Sequence, residues 1–160
     1  MKSEILKYRD WTIEFDKELT IKGYESITAG GAETCICSDC KNYIANRENI
    51  FPKEVFKLFS DLGIDYKKDV EICTYGKLPN GLYQIDGWFH FKGKIINALI
   101  WNEKIPNGYS LHLTKINENF SIGFCKDNAL TFFNDKEDLV QLEFEAFIPW
   151  IIDEKPDDEL

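Results

Sequence analysis

Apolar and polar residues alternate along much of this chain. Trp11, Ile13 and Phe15 alternate with Thr12 and Glu14; after Asp16-Lys17-Glu18, Leu19 and Ile21 alternate with Thr20 and Lys22. Period-two alternation marks a strand with one buried face, so these two runs predict a hairpin. Ser26 to Glu33, with Gly30-Gly31, reads as a loop. A helical block follows. Ser38-Asp39 caps a short helix to about Arg47, with Cys40, Tyr43 and Ile44 on one side. Pro52 suits the first turn of a second helix, where its missing N–H costs nothing; Val55, Phe56, Phe59 and Leu62 recur at helical spacing, and Gly63 is its stop.

From about Asp69 the pattern is mostly of strands. Val70 and Ile72 begin one, and Pro79-Asn80-Gly81 is a turn. Tyr83, Ile85, Phe89 and Phe91 share one parity; Gln84, Asp86, Trp88 and His90 share the other, and Gly87 marks a bulge or a close backbone approach. Leu111 with Leu113, Phe120 to Phe124, and Leu130 to Phe133 after an Asp127-Asn128 turn are further strands. In the clearest, Val140, Leu142, Phe144 and Ala146 face one way, with Gln141, Glu143 and Glu145 on a solvated face. Short spacers favour antiparallel pairing, and helices gathered in one block favour α+β over a doubly wound fold. The expected architecture is α+β: a predominantly antiparallel sheet, sandwich or partly open barrel, with one or two short helices packed on it. Residues 1–152 form one domain, and 153–160 an acidic flexible tail.

Composition narrows the function. The 160 residues include 12 Phe, 7 Tyr and 4 Trp, enough ring surface for a packed, sheet-rich core. The net charge of −9 disfavours nucleic acid and anionic membrane as partners, and leaves a basic protein surface, a cationic ligand or a metal ion. Residues 1–10 carry charges throughout and show no export signal, and the longest apolar patch, Ile95 to Trp101, is too short for a membrane span. A cytoplasmic location is expected, with the five cysteines as reduced thiols.

Three of those thiols fall in Cys35-Ile36-Cys37-Ser38-Asp39-Cys40. Cys37 and Cys40 have the spacing that brings two thiolates to one zinc ion, with Cys35, Cys73, Cys125, His90 and His112 as candidates for further ligands. A Cys-x-x-Cys at a helix start also suits redox chemistry, although Asp39 between the thiols works against it. Plain burial suits small apolar thiols equally well. The cofactor expectation is therefore none, or one zinc ion. His90 beside Trp88 suits the lip of a ligand pocket, or a hydrogen-bonded position among rings; His112 suits a solvated sheet face. There is no nucleophile elbow, no phosphate loop and no His-Glu-x-x-His motif.

Cys37-x-x-Cys40-x-Asn42-Tyr43, Leu62-Gly63-Ile64-Asp65 and Gly87-Trp88-Phe89-His90-Phe91-x-Gly93 together resemble the motifs of a group of small uncharacterised bacterial proteins. The resemblance covers the middle third of the chain. It implies no activity, but places Cys37, Cys40, Asn42, Trp88 and His90 in one pattern, outside which Cys35 falls. The functional expectation is a non-enzymatic binding or interaction module, of the kind that partners a basic protein, with Trp88, His90 and Asn42 as binding residues. The alternatives are a zinc protein built on Cys37 and Cys40, and a small enzyme with His90 as general base.

Overall fold

The computed structural model describes residues 2–97, 102–106, 108–111 and 113–157. The strands are β1 (Glu4–Tyr8), β2 (Trp11–Phe15), β3 (Glu71–Lys77), β4 (Tyr83–Ile95), β5 (Asn102–Ile105), β6 (Gly108–Leu111), β7 (Thr114–Asn117), β8 (Phe120–Cys125) and β9 (Leu139–Ile148). Between β2 and β3 lie α1 (Lys17–Glu25), α2 (Gly31–Thr34), α3 (Ser38–Ile50) and α4 (Lys53–Leu62). Seven strands make one antiparallel sheet in the order β1-β2-β4-β9-β8-β7, with β3 also paired to β4; β5 and β6 form a separate ribbon. The class is α+β, with four helices among the described residues where the sequence suggested one or two. His112 lies outside the described residues, as does most of the apolar run to Trp101.

The row Tyr83, Ile85, Phe89 and Phe91 on β4 is buried, as are Phe120, Ile122 and Phe124 on β8 and Val140, Leu142, Phe144 and Ala146 on β9. Together they form the face that meets α3 and α4. Phe51, in the turn between those helices, sets its ring edge-on to Phe59, Phe89, Phe120 and Phe144. Gly87 lies under this cluster: a Cβ there would stand 2.9 Å from the Phe144 ring and 2.6 Å from Ile72. It marks a close approach rather than a bulge. The bulge falls instead on the neighbouring strand, between Thr74 and Gly76.

Two expected strands are absent. Leu19 and Ile21 belong to α1 and are partly exposed; the residues α1 buries are Thr20 and Tyr24. Asp16 is an N-cap and not a turn residue: its Oδ1 accepts from the Leu19 N–H, and its Oδ2 from the Lys2 N–H. The hairpin partner of β2 is therefore β1, which precedes it. Leu130 to Phe133 is likewise no strand. Leu130 has a left-handed φ of 56° and is exposed, and the Thr131 N–H donates to the Asn128 carbonyl in a turn.

α1 also completes the sheet. β2 and β3 pair with the same edge of β4 but leave a gap between Val70, whose N–H donates to the Trp88 carbonyl, and Asp16, whose N–H donates to the Lys92 carbonyl. In that gap the Tyr24 hydroxyl donates to the His90 carbonyl (2.7 Å), and the Lys92 N–H donates to Thr20 Oγ1 (2.9 Å). Tyr24→Phe leaves a buried carbonyl without its donor and is expected to cost about 1–3 kcal/mol. A lower urea midpoint at unchanged slope would register this; a midpoint equal to the parent's would mean the hydroxyl is dispensable.

The described part of the terminal segment, 153–157, is mostly exposed and makes a few contacts with the rest of the fold. The Trp150 indole N–H donates to the Glu154 carbonyl, Lys41 pairs with the Glu154 carboxylate at 2.9 Å, and Pro156 is buried. No helix among the described residues is long and apolar enough to cross a membrane.

Candidate metal centre

Cys35, Cys37 and Cys40 sit where α2 hands over to α3. Asp69 anchors α2: its carbonyl accepts from the Gly31 N–H (2.8 Å) and its carboxylate from the Ala32 N–H (3.0 Å). Arg47, buried on α3, binds the Glu33 carboxylate (2.9 Å) and the Lys67 carbonyl (3.2 Å), tying α2 to α3. The short connection between the two helices then has little freedom. Cys35 and Cys37 both have extended backbone, so their side chains share a side while Ile36 projects outward, 88% exposed.

The three sulfurs all lie within 4.8 Å of one another, a group that could hold a metal ion. Cys35 and Cys37 are 3.1 Å apart and share a hydrogen bond. Cys37 is the N-cap of α3, its sulfur accepting from the Cys40 N–H (3.4 Å); Cys35 in turn accepts from the Cys37 N–H (3.5 Å). The positive end of a thirteen-residue helix thus faces the group, which favours thiolate. The Cys37 N–H, followed by the Cys37 thiol, holds the Cys35 thiol below its ordinary value. Burial raises Cys37, and raises Cys40, at the base of the group, much further. A bound cation would replace those protons.

Cys35, outside the motif, thus joins the Cys37/Cys40 pair. Cys73 and His90 do not. Cys73 lies on β3 opposite Asp86, and His90 on β4 opposite Gln141, both on the sheet face turned away from the helices. His90 is 0% exposed and so does not stand at a pocket lip. Its Nε2 pairs with Gln141 Oε1 (3.0 Å), and Gln141 Nε2 donates to Glu143 Oε1 (2.9 Å). That chain places the imidazole proton on Nε2, and burial pushes the His90 pKa down to about 4, so the ring is neutral near pH 7. Nearby, a cavity of about 210 Å³ is lined by residues including Ile95, Cys125 and Leu139, but not by His90 or Trp88.

The other expected binding residues make hydrogen bonds within the fold. The Trp88 indole N–H donates to the Ala129 carbonyl (3.1 Å). Asn42, on α3, donates to the Pro149 carbonyl and accepts from the Ile151 N–H, fastening the segment after β9. Trp88 and His90 thus share one face of β4, while Asn42 stands apart from them on α3.

The expected solvated face of β9 is also revised, since Gln141 and Glu143 are only 4% and 5% exposed. Residues 126–138 are drawn across the end of that face. Trp88 holds them at Ala129, and the buried Lys92 ammonium donates to the Asp135 (2.6 Å) and Glu137 (2.7 Å) carbonyls. Burial, with neighbouring carboxylates adding to it, pushes Asp86 up to about 8 and Glu143 up to about 7. The sequence holds no local signal of this, because the residues that hold the covering loop in place, Trp88 and Lys92 on β4, are distant from it in the chain. No family model, curated protein or solved structure matches the chain.

Proposed function

We propose that this protein is a non-enzymatic binding module organised around a three-thiolate metal site, with Cys35, Cys37 and Cys40 as ligands and zinc as the ion. The observation that carries this reading is the gathering of three sulfurs within 4.8 Å at the N-terminus of α3. Zinc suits the donor set: thiolates at about 2.3 Å in a tetrahedron stand about 3.8 Å from one another, within reach of this geometry by small side-chain movements. Three protein ligands leave one tetrahedral position for water or for a group supplied by a binding partner.

The test is metal content of the full chain after exposure to zinc and removal of excess ion. One zinc per chain is expected, with loss in Cys37→Ser; cobalt in its place should give a thiolate charge-transfer band that Cys35→Ser weakens. A chain that retains no zinc under these conditions would refute the reading. Zinc retained in full by Cys37→Ser would place the ion elsewhere.

A further inference from the structure

Resting on the metal reading above, we infer that the same three thiols form a peroxide-responsive switch, in which Cys35 and Cys37 join as a disulfide and the ion is released.

The geometry favours this pair. The Cys35 and Cys37 sulfurs are 3.1 Å apart, and a disulfide needs about 2.05 Å, so closing it takes a movement of about 1 Å. Both sulfurs belong to half-buried residues on the connection between α2 and α3, beside the exposed Ile36, where a small oxidant can reach them. Cys40 is buried and built into the first turn of α3, so its sulfur is both less accessible and less free to move. Cys73 and Cys125, the remaining thiols, lie outside the group.

Hydrogen peroxide is the oxidant. The Cys35 thiolate, supported by the Cys37 N–H, attacks one peroxide oxygen; the O–O bond breaks, Cys35 becomes a sulfenic acid, and hydroxide leaves. The Cys37 thiolate then attacks the Cys35 sulfur; the S–O bond breaks, the S–S bond forms, and a second hydroxide leaves. In sum, two thiols and one peroxide give one disulfide and two waters. The ion keeps only Cys40, too few ligands to hold it.

Peroxide is added to the full chain with and without zinc, and two signals are followed: zinc captured by a chelating dye, and iodoacetamide labels on the tryptic segment 23–41, which holds these three cysteines and no other. The parent should fall from three labels to one, releasing its zinc, with both changes reversed by dithiothreitol and fresh zinc. Cys40→Ser should fall from two labels to none, while Cys35→Ser keeps both. Two labels lost in Cys35→Ser would reveal a Cys37–Cys40 linkage and overturn the assignment. Retained labels in a chain that binds zinc overturn the switch alone. Label loss in a chain that binds none overturns the metal reading and leaves the disulfide standing.

Discussion

Phe144→Ala is expected to remove about 3–5 kcal/mol of stability, the cost of emptying a fully buried aromatic site. Phe144 is 0% exposed, and its ring lies 5.1 Å from Phe51, 5.7 Å from Phe120 and 6.1 Å from Phe89. These partners come from two strands of the sheet, β4 and β8, and from the turn between α3 and α4, so they cannot collapse together into the space. Since a domain of this size has about 5–15 kcal/mol in all, the variant should sit close to unfolding at 37 °C. Urea denaturation followed by tryptophan fluorescence measures it, and a loss below about 1 kcal/mol would mean that the cluster repacks. Gly87 offers an internal check. Gly87→Ala should destabilise the parent, because its Cβ meets the Phe144 ring, and should be milder in the Phe144→Ala background, where much of that obstruction is gone.

The second large effect is on pH dependence. Asp86 faces Glu145 across β9 and Cys73 across β3, with Glu143 and Tyr75 also near its carboxyl; burial first, and then Glu143 and Glu145, raise it from 3.8 to about 8. A carboxyl whose folded pKa is raised keeps its proton in the native state where the unfolded chain has lost it. Its stabilising contribution is whole below the unfolded pKa and is lost as pH rises through the folded one. Asp69, raised to about 6, and Glu143, raised to about 7, act in the same direction. His90 acts oppositely: lowered from 6.5 to about 4, it adds stability as pH rises across that interval and nothing beyond it. Between pH 6.5 and 8 His90 no longer offsets the carboxyls, so stability should fall as pH rises. Asp86→Asn removes the largest part of that fall and should be more stable than the parent by about 1–2 kcal/mol at pH 8, with the difference closing towards pH 5. Thermal unfolding of both proteins across this range decides it; parallel curves would show that Asp86 ionises freely in the folded state.

The main sheet was largely legible in the sequence because its buried rows are apolar and regular. Val140, Leu142, Phe144 and Ala146 declare β9, and Tyr83, Ile85, Phe89 and Phe91 declare β4, since alternation is what one-sided burial requires. Pro52 and Gly63 bracket α4 for equally local reasons; Gly63 adopts the left-handed φ of 86° that ends the helix. α1 was missed because the residues it buries, Thr20 and Tyr24, are polar and answer to the broken edge of β4, while its apolar Leu19 and Ile21 happen to alternate. The burial of Glu143 and Gln141 depends on a loop held by Lys92 and Trp88, which no local pattern encodes. At the thiols the spacing of Cys37 and Cys40 was informative. The inclusion of Cys35 depended on Asp69 and Arg47 holding α2 in place, and the exclusion of Cys73 and His90 on the register of β3 and β4.

β9 lies between β4 and β8, yet among the sheet's strands it is the last to be made. Until residues 139–148 have left the ribosome, the nascent chain has made both of the strands that flank it and nothing to join them. Phe89 and Phe91 on one side, and Phe120 and Phe124 on the other, wait without the strand that unites their rows. The sheet can therefore close only late in synthesis, and the unfinished chain displays apolar surface for most of the time it is being made, which is the state that holding chaperones recognise.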